Sequence, residues 1–329
     1  MKSIFTSCRV ANSNLQWHTW SRHTKALLSE ISRDLTDITT EIHLVAPGEQ
    51  YGFSYKPCDP INKNVLNTID EIANALYLFE PNHGLVLLRD LIFAGFGPSE
   101  LHVVFSLLST ALNKMESEGL SLHSPIETSS RDKGFPVHAD LFISRVLLNV
   151  ITFKETNNGG DILLLNKDQL QRAMAETPLM PERVKSIIIK LLSGRSCDDR
   201  FNEVFGLMYG QSKWSKQLNQ NISRRLITIP ATTGVGYLLI DGQWLHGRTP
   251  VNGPIYSNRL QRLVFNNTTT LRMPSVELNK LDCEYVKGLL RQKPETQRKA
   301  IEPWYKAKKQ LSDNALQTDL KKAAHYLVG

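Results

Sequence analysis

His138 and Asp140 stand two apart in Phe135-Pro-Val-His-Ala-Asp140, and His246 follows 106 residues after Asp140 in Leu245-His-Gly-Arg248. Two imidazoles and a carboxylate are donors for a divalent transition metal. Gathered on one face of the ion they leave the opposite face open, the arrangement of a non-haem Fe(II) centre that takes a cosubstrate and dioxygen. The spacing of the first two residues is weak evidence by itself. With nine histidines in a chain that is about a tenth Asp and Glu, roughly one His-x-Asp/Glu arises by chance. The weight therefore falls on where each residue sits.

Both settings read as strands. Residues 141–153, Leu-Phe-Ile-Ser-Arg-Val-Leu-Leu-Asn-Val-Ile-Thr-Phe, are dense in branched and aromatic side chains and lead to Asn157-Asn-Gly-Gly160, a turn signal. His138 and Asp140 are thus expected at the entrance to a strand, on one side of it, because strand side chains repeat every two residues. Around the third residue, Gly236-Tyr-Leu-Leu-Ile240 and Gln243-Trp-Leu-His246 flank Asp241-Gly242, a dipeptide suited to a two-residue hairpin turn. His246 is expected on a strand of its own.

The remaining chain has to hold these strands in place. At 329 residues, 41% hydrophobic and 22% charged, it is an ordinary globular sequence with one principal domain. It has no run of about 18 uncharged apolar residues and no apolar N-terminal leader, so no membrane association and a cytoplasmic location are expected. Cys8, Cys58, Cys197 and Cys283 form no Cys-x-x-Cys pair, which argues against a zinc knot or a disulfide framework. The formal charge of +7 is dispersed, with its densest run at Lys306-Ala-Lys-Lys309, so a solvated helix face is expected rather than a nucleic-acid surface.

Residues 22–80 carry apolar positions three and four apart and predict helices packed outside a sheet. Gly84-Leu-Val-Leu-Leu suits a buried strand, and a helix is expected from Pro98 to about Glu116 with Ser99 as its N-cap. Two strands should follow Asp140, up to about Leu165. A polar helical insertion spans about 166–221 and is the candidate lid over the metal. Strand character returns at Arg225-Leu-Ile-Thr-Ile229 and ends with Leu260-Gln-Arg-Leu-Val-Phe265. From about 275 the chain is helical and basic, and its helices are a candidate homo-oligomer contact. Trp17, His18 and Trp20 read as packing and turn residues, and His83, His102, His123 and His325 as incidental. There is no internal repeat.

Phe135-Pro-Val-His-Ala-Asp140, Gly159-Gly-Asp161, Leu245-His-Gly-Arg248 and Arg259-Leu-Gln-Arg262, in that order and spacing, resemble the taurine dioxygenase and clavaminate synthase-like branch of Fe(II)/2-oxoglutarate-dependent oxygenases. The resemblance covers about 130 residues. It implies an α+β fold: a double-stranded β-helix, or distorted jelly roll, over 1–274 with the helical insertion, then a helical extension over 275–329. It implies iron on His138, Asp140 and His246, with 2-oxoglutarate and O2 as cosubstrates. An arginine of the last core strand would pair with the distal carboxylate of 2-oxoglutarate. Here Arg259 and Arg262 compete. Family members carry two arginines four apart, whereas these are three apart and face opposite sides of a regular strand unless a bulge intervenes. Distance from His246 favours Arg259, towards which the reading leans. Alignment on Leu-Gln-Arg favours Arg262 and puts Asn258 in place of the first family arginine. Ile162 stands where relatives often have a threonine that helps hold the cosubstrate.

The chemistry implied is oxidative decarboxylation of 2-oxoglutarate to succinate and CO2, coupled to hydroxylation of an unactivated C–H bond of a small amino-acid-like substrate, with desaturation or cyclisation as variants. Asp140 argues against halogenation, since halogenases of this superfamily lack the carboxylate ligand. Arg248 is expected to support the site from behind the ligands, and Arg145, Asn149 and Trp244 are further candidate pocket liners. Two alternatives stay open: a non-catalytic, cupin-like metal-binding module, and an oxygenase acting on a macromolecule.

Overall fold

The computed structural model describes residues 3–10, 15–36, 39–45, 50–56, 61–77, 84–115, 122–127, 134–140, 146–154, 159–196, 201–210, 212–250, 258–265 and 275–291. The N-terminal part runs β1 (Phe5–Arg9), β2 (Gln16–Trp20), α1 (Arg22–Thr36), β3 (Thr39–Val45), β4 (Gln50–Lys56), α2 (Lys63–Tyr77), β5 (Leu85–Leu88) and α3 (Pro98–Met115). The helical expectation for 22–80 is corrected at its centre, where β3 and β4 pair antiparallel. Ile42 and Leu44 stand opposite Phe53 and Tyr51, an alternation of two that a strand satisfies and a helix does not. Trp17, His18 and Trp20 lie on β2 rather than in a turn; Trp20 is buried and its indole N–H donates to the Leu91 carbonyl. Helix α3 starts one residue before the expected cap. Pro98 is its first residue, and the Gly97 N–H donates to the Glu100 carboxylate at 2.9 Å, so Glu100 rather than Ser99 secures the start.

The second part runs β6 (Leu122–Glu127), β7 (Phe135–His138), β8 (Val146–Lys154), β9 (Ile162–Asn166), α4 (Lys167–Ala175), α5 (Glu182–Leu192), β10 (Arg195–Ser196), α6 (Phe201–Tyr209), α7 (Ser215–Ser223), β11 (Ile227–Ile229), β12 (Gly236–Ile240), β13 (Trp244–Arg248), β14 (Asn258–Phe265), β15 (Ser275–Val276) and α8 (Lys280–Arg291). A seven-stranded sheet in the order β1-β2-β5-β12-β8-β14-β6 faces a four-stranded sheet in the order β11-β9-β13-β7. The chain winds between them: β6, β8, β12 and β14 belong to the large sheet, and β7, β9, β11 and β13 to the small one.

Three apolar clusters follow from this layering, and strand alternation explains their membership. Leu85, Leu87, Ile151, Tyr237 and Leu239 of the large sheet meet Ile162, Leu164, Ile229 and Trp244 of the small one between the sheets. Val86, Leu88, Leu148, Val150, Leu238 and Leu263, the intervening positions of the large sheet, pack on α1, α2 and α3. Val137, Leu165 and Leu245, the intervening positions of the small sheet, pack on α4, α5, α6 and α7.

Two expectations change here. The insertion of helices α4 to α7 packs on the outer face of the small sheet, behind the strands that carry His138 and His246, so it buttresses those strands instead of covering them as a lid. The Asp241-Gly242 turn is present, with Gly242 at φ 86°, but it joins no hairpin. Strand β12 pairs with β5 and β8, whereas β13 pairs with β7 and β9. The turn is a corner by which the chain crosses from one sheet to the other. A Cβ on Gly242 would lie 2.6 Å from the Leu192 carbonyl oxygen at the end of α5, so the corner is seated directly on the insertion.

Residues 275–291 stay attached to the same layer, and the rest of the expected helical extension, 292–329, lies outside the described residues. Strand β15 pairs in parallel with β10, and Leu278 and Val286 enter the cluster that holds α4 to α7. No helix among the described residues is long and apolar enough to cross a membrane.

Candidate metal centre

Strands β7 and β13 are antiparallel neighbours, and His138 stands directly opposite His246 in their register. Side chains opposite one another in such a pair share a face. Because Val137 and Leu245 point out to the helices, both imidazoles point in between the sheets, with ring centroids 4.4 Å apart. Gly247 makes this closeness possible: a Cβ there would lie 2.5 Å from the Phe135 carbonyl oxygen. His138 is the last residue of β7, and Asp140 follows just past the strand end, not at the entrance to β8 as the sequence suggested. From there its carboxylate turns back, with Oδ1 3.5 Å from His138 Nε2. One donor atom from each of His138, Asp140 and His246 falls within 4.8 Å of the others.

The protonation of these groups suits a cation. His138 Nδ1 donates to the Pro136 carbonyl at 2.9 Å, which turns Nε2 towards Asp140. His246 is 4% exposed, and among the described residues neither of its ring nitrogens has a hydrogen-bond partner. Burial, with the neighbouring His138 imidazole adding to it, holds its pKa well below the ordinary histidine value, so the ring is neutral. A buried polar atom without a partner calls for an explanation, and a metal ion bound with His138 and Asp140 supplies one. Burial of the Asp140 carboxyl works against its charge, but the Arg262 guanidinium, with the His138 and His246 imidazoles, outweighs burial and holds it well below the usual carboxylate range.

The large sheet contributes the facing wall. Arg262 on β14, Asn149 on β8 and Tyr237 on β12 are register partners in a row across three strands. Arg262 Nε donates to Asn149 Oδ1 at 3.1 Å, Asn149 Nδ2 donates to the Tyr237 hydroxyl oxygen at 2.6 Å, and Arg262 Nη1 reaches Asp140 Oδ2 at 3.1 Å. The Tyr237 ring centroid lies 5.9 Å from that of His246. Burial, the largest influence on the Tyr237 hydroxyl, pushes its pKa above the ordinary tyrosine value, so the phenol stays protonated.

On the opposite flank Phe135 meets the His138 ring edge-on and stacks on Phe205 of α6. The Tyr209 hydroxyl, on the same helix, donates to the Val137 carbonyl at 2.7 Å. The insertion thus touches the ligand strand through aromatic side chains.

Of the residues expected here from sequence, His138, Asp140, His246, Asn149 and Arg262 come together. Arg262 reaches the centre through its contact with Asp140, while distance from His246 had favoured Arg259. Strand β14 pairs with β6 in unbroken register from Arg259 to Arg262, and its register shift against β8 leaves Thr152 of β8 as the extra residue, so the bulge is not in β14; the Arg259 side chain lies outside the described residues. So does Arg145. Trp244 packs among the apolar residues between the sheets. Arg248 ends β13 beyond an irregularity, opposite Phe135 and Ile162, and burial lowers its pKa to about 10. Asp161, of the Gly-Gly-Asp motif, accepts from the Ala231 N–H, and its own N–H donates to Thr249 Oγ1. It ties loops together.

Tyr237 and Asp241 were not singled out as site residues. Tyr237 is hidden in an apolar strand run, Gly-Tyr-Leu-Leu-Ile, where only the inward parity shared with Leu239 marks it. Asp241 reads as an ordinary turn residue.

No family model matches the sequence, and no curated protein matches it. Solved structures do. The structure is similar to that of an asparagine oxygenase in complex with Fe(II), 2S,3S-3-hydroxyasparagine and succinate, at 9% identity and a TM-score of 0.42, over 78% of this chain and 93% of that one. It is similar also to the non-heme iron oxygenase OrfP in complex with Fe and alpha-ketoglutaric acid, at 12% identity and a TM-score of 0.38, over 76% and 94% of the two chains. OrfP in complex with Fe and L-homoarginine matches at 12% identity and a TM-score of 0.37.

Proposed function

We propose that this chain is an Fe(II)- and 2-oxoglutarate-dependent oxygenase that hydroxylates an unactivated C–H bond of a small amino-acid-like substrate. The winding of β6 to β9 and β11 to β14 between two sheets is read as a double-stranded β-helix. The observation that carries the proposal is the convergence of His138, Asp140 and His246 between the sheets, with both His246 nitrogens buried and without hydrogen-bond partners. Iron bound by these residues would supply dioxygen activation coupled to decarboxylation of the cosubstrate.

The protein's own part is positional and electrostatic. Pro136 fixes the His138 tautomer. Arg262 places a fixed positive charge beside the ligand set, on the wall where an anionic cosubstrate would lie, and Asn149 holds the guanidinium in plane. The apolar residues between the sheets exclude water from below the centre.

Anaerobic addition of 2-oxoglutarate to the Fe(II)-loaded protein is the direct test. A visible metal-to-ligand charge-transfer band that is lost in Asp140→Ala supports the reading, and screening amino acids for shifts of that band then identifies the substrate. Iron binding with no such band would establish instead the non-catalytic metal-binding module, which is consistent with Ile162 being buried between the sheets where relatives often have threonine.

A further inference from the structure

Asp140 lies just past the end of β7, so its backbone N–H has no place in the strand ladder, and a buried N–H needs an acceptor. The acceptor is Asp241 Oδ1 at 3.0 Å, from a residue 101 positions later in the chain. Asp241 is 4% exposed and occupies the corner between β12 and β13, five residues before His246. That corner is itself constrained. Gly242 adopts φ 86° against the Leu192 carbonyl, and the Lys167 N–H at the start of α4 donates to the Gln243 carbonyl at 2.9 Å. Asp241 therefore joins the short segment that carries Asp140 to the rigid corner from which the His246 strand departs.

The chemistry of the residue adds to the geometry. The contact needs only a side-chain oxygen at this reach, which asparagine would supply as well as aspartate, and Asp140 and Asp241 both lie close enough to the Tyr237 hydroxyl for their charges to bear on it.

We propose that Asp241 is a positioning residue for the metal centre: by accepting the Asp140 N–H it sets the Asp140 carboxylate at the spacing from His138 and His246 that a single ion requires. The inference rests on reading those three residues as metal ligands. Asp241 itself touches no ion. Its role resembles that of the hydrogen-bonded groups behind metal ligands, whose loss typically weakens metal binding about 10- to 100-fold.

The experiment is anaerobic titration with Co(II) alone, followed by its d–d absorption, for the whole chain and for Asp241→Ala, Asp241→Asn and Asp241→Glu, each with its thermal unfolding midpoint recorded. Asp241→Ala should bind Co(II) about 10- to 100-fold more weakly with an altered spectrum. Asp241→Asn keeps an acceptor oxygen at the same reach and should restore both. Wild-type affinity and spectrum in Asp241→Ala overturn the proposal, as does an Asp241→Asn variant that folds yet binds as weakly as alanine. Should alanine fail to fold, the order of the other two decides: glutamate displaces the acceptor by one methylene and should bind more weakly than asparagine, and the reverse order overturns the proposal. Failure of the unaltered chain to bind Co(II) would instead overturn the metal-site reading beneath it.

Discussion

Replacing Arg262 by methionine removes the guanidinium that contacts Asp140 while keeping most of its volume. Its Nη1 lies 3.1 Å from Asp140 Oδ2, with the two side chains 22% and 14% exposed. At an effective dielectric of about 20, unit charges at that separation attract by about 5 kcal/mol. Desolvation takes back part of this, and removing one partner of a buried pair typically costs about 3 to 5 kcal/mol. The lower end applies here because a fifth of the arginine still meets solvent. For a chain of 329 residues about 3 kcal/mol corresponds to a fall of roughly 4 °C in Tm.

The assay is thermal unfolding in EDTA at a series of pH values, repeated with excess Co(II). In the unaltered protein the Asp140 pKa lies below its unfolded value, so its contribution to stability is present above about pH 4 and lost on further acidification. In Arg262→Met burial acts with less opposition, the carboxyl titrates at higher pH, and stability should begin to fall earlier as the solution is acidified. Co(II) at about 100 times the Kd of the unaltered protein should return about 2.7 kcal/mol to it, and at the same concentration more to the variant, whose carboxylate lacks the guanidinium and should hold the ion more tightly. A variant that melts within about 1 °C of the parent in EDTA at pH 7, with no larger gain on adding Co(II), refutes the argument.

Further outcomes follow from the same geometry. His246→Leu should abolish Co(II) binding in a titration while leaving the metal-free Tm unchanged or higher, because it removes two buried nitrogens that lack partners, each worth about 1 to 3 kcal/mol. The depressed His246 pKa means that the unfolded chain takes up a proton that the folded one refuses, so metal-free stability should decline as pH drops below about 6.5; unfolding scans of His246→Leu should show a shallower slope in that window. Gly242→Ala forces a Cβ against the Leu192 carbonyl at a positive φ and should cost more than about 1 kcal/mol in denaturant unfolding. Phe205→Ala removes the ring stacked on Phe135 and should destabilise by about 3 kcal/mol or more, with Co(II) affinity falling alongside, since that contact borders His138.

The convergence of His138, Asp140 and His246 was legible because metal chemistry restricts the residue types, and the strands were legible where apolar runs were long, as in β8, β12 and β14. What sequence left hidden depended on tertiary partners. The β3–β4 pair lies between two amphipathic helices and was absorbed into their pattern. Asp241-Gly242 carries the local signature of a hairpin, but whether the strands beyond it pair with each other or part into opposite sheets is decided by β5, β8, β7 and β9, far away in the chain. That Arg262 faces Asp140 depends on β14 lying next to β8 with Arg262 opposite Asn149, a pairing that Asn258-Arg-Leu-Gln-Arg262 does not reveal by itself. The insertion was visible as helices, but the face on which they rest is fixed by the outward parity of Val137, Leu165 and Leu245.

The placement of helices α4 to α7 between Asp140 and His246 also bears on how the protein is made. During synthesis at about 5 to 20 residues per second, roughly 5 to 20 s separate the appearance of Asp140 from that of His246. For that interval the nascent chain offers two donors, a pair with little power to choose among ions, while the helices that will brace the ligand strands emerge in between. The complete three-donor set, and with it any preference for one metal over another, arises only when β13 takes its place between β7 and β9, after the insertion that must support it already exists.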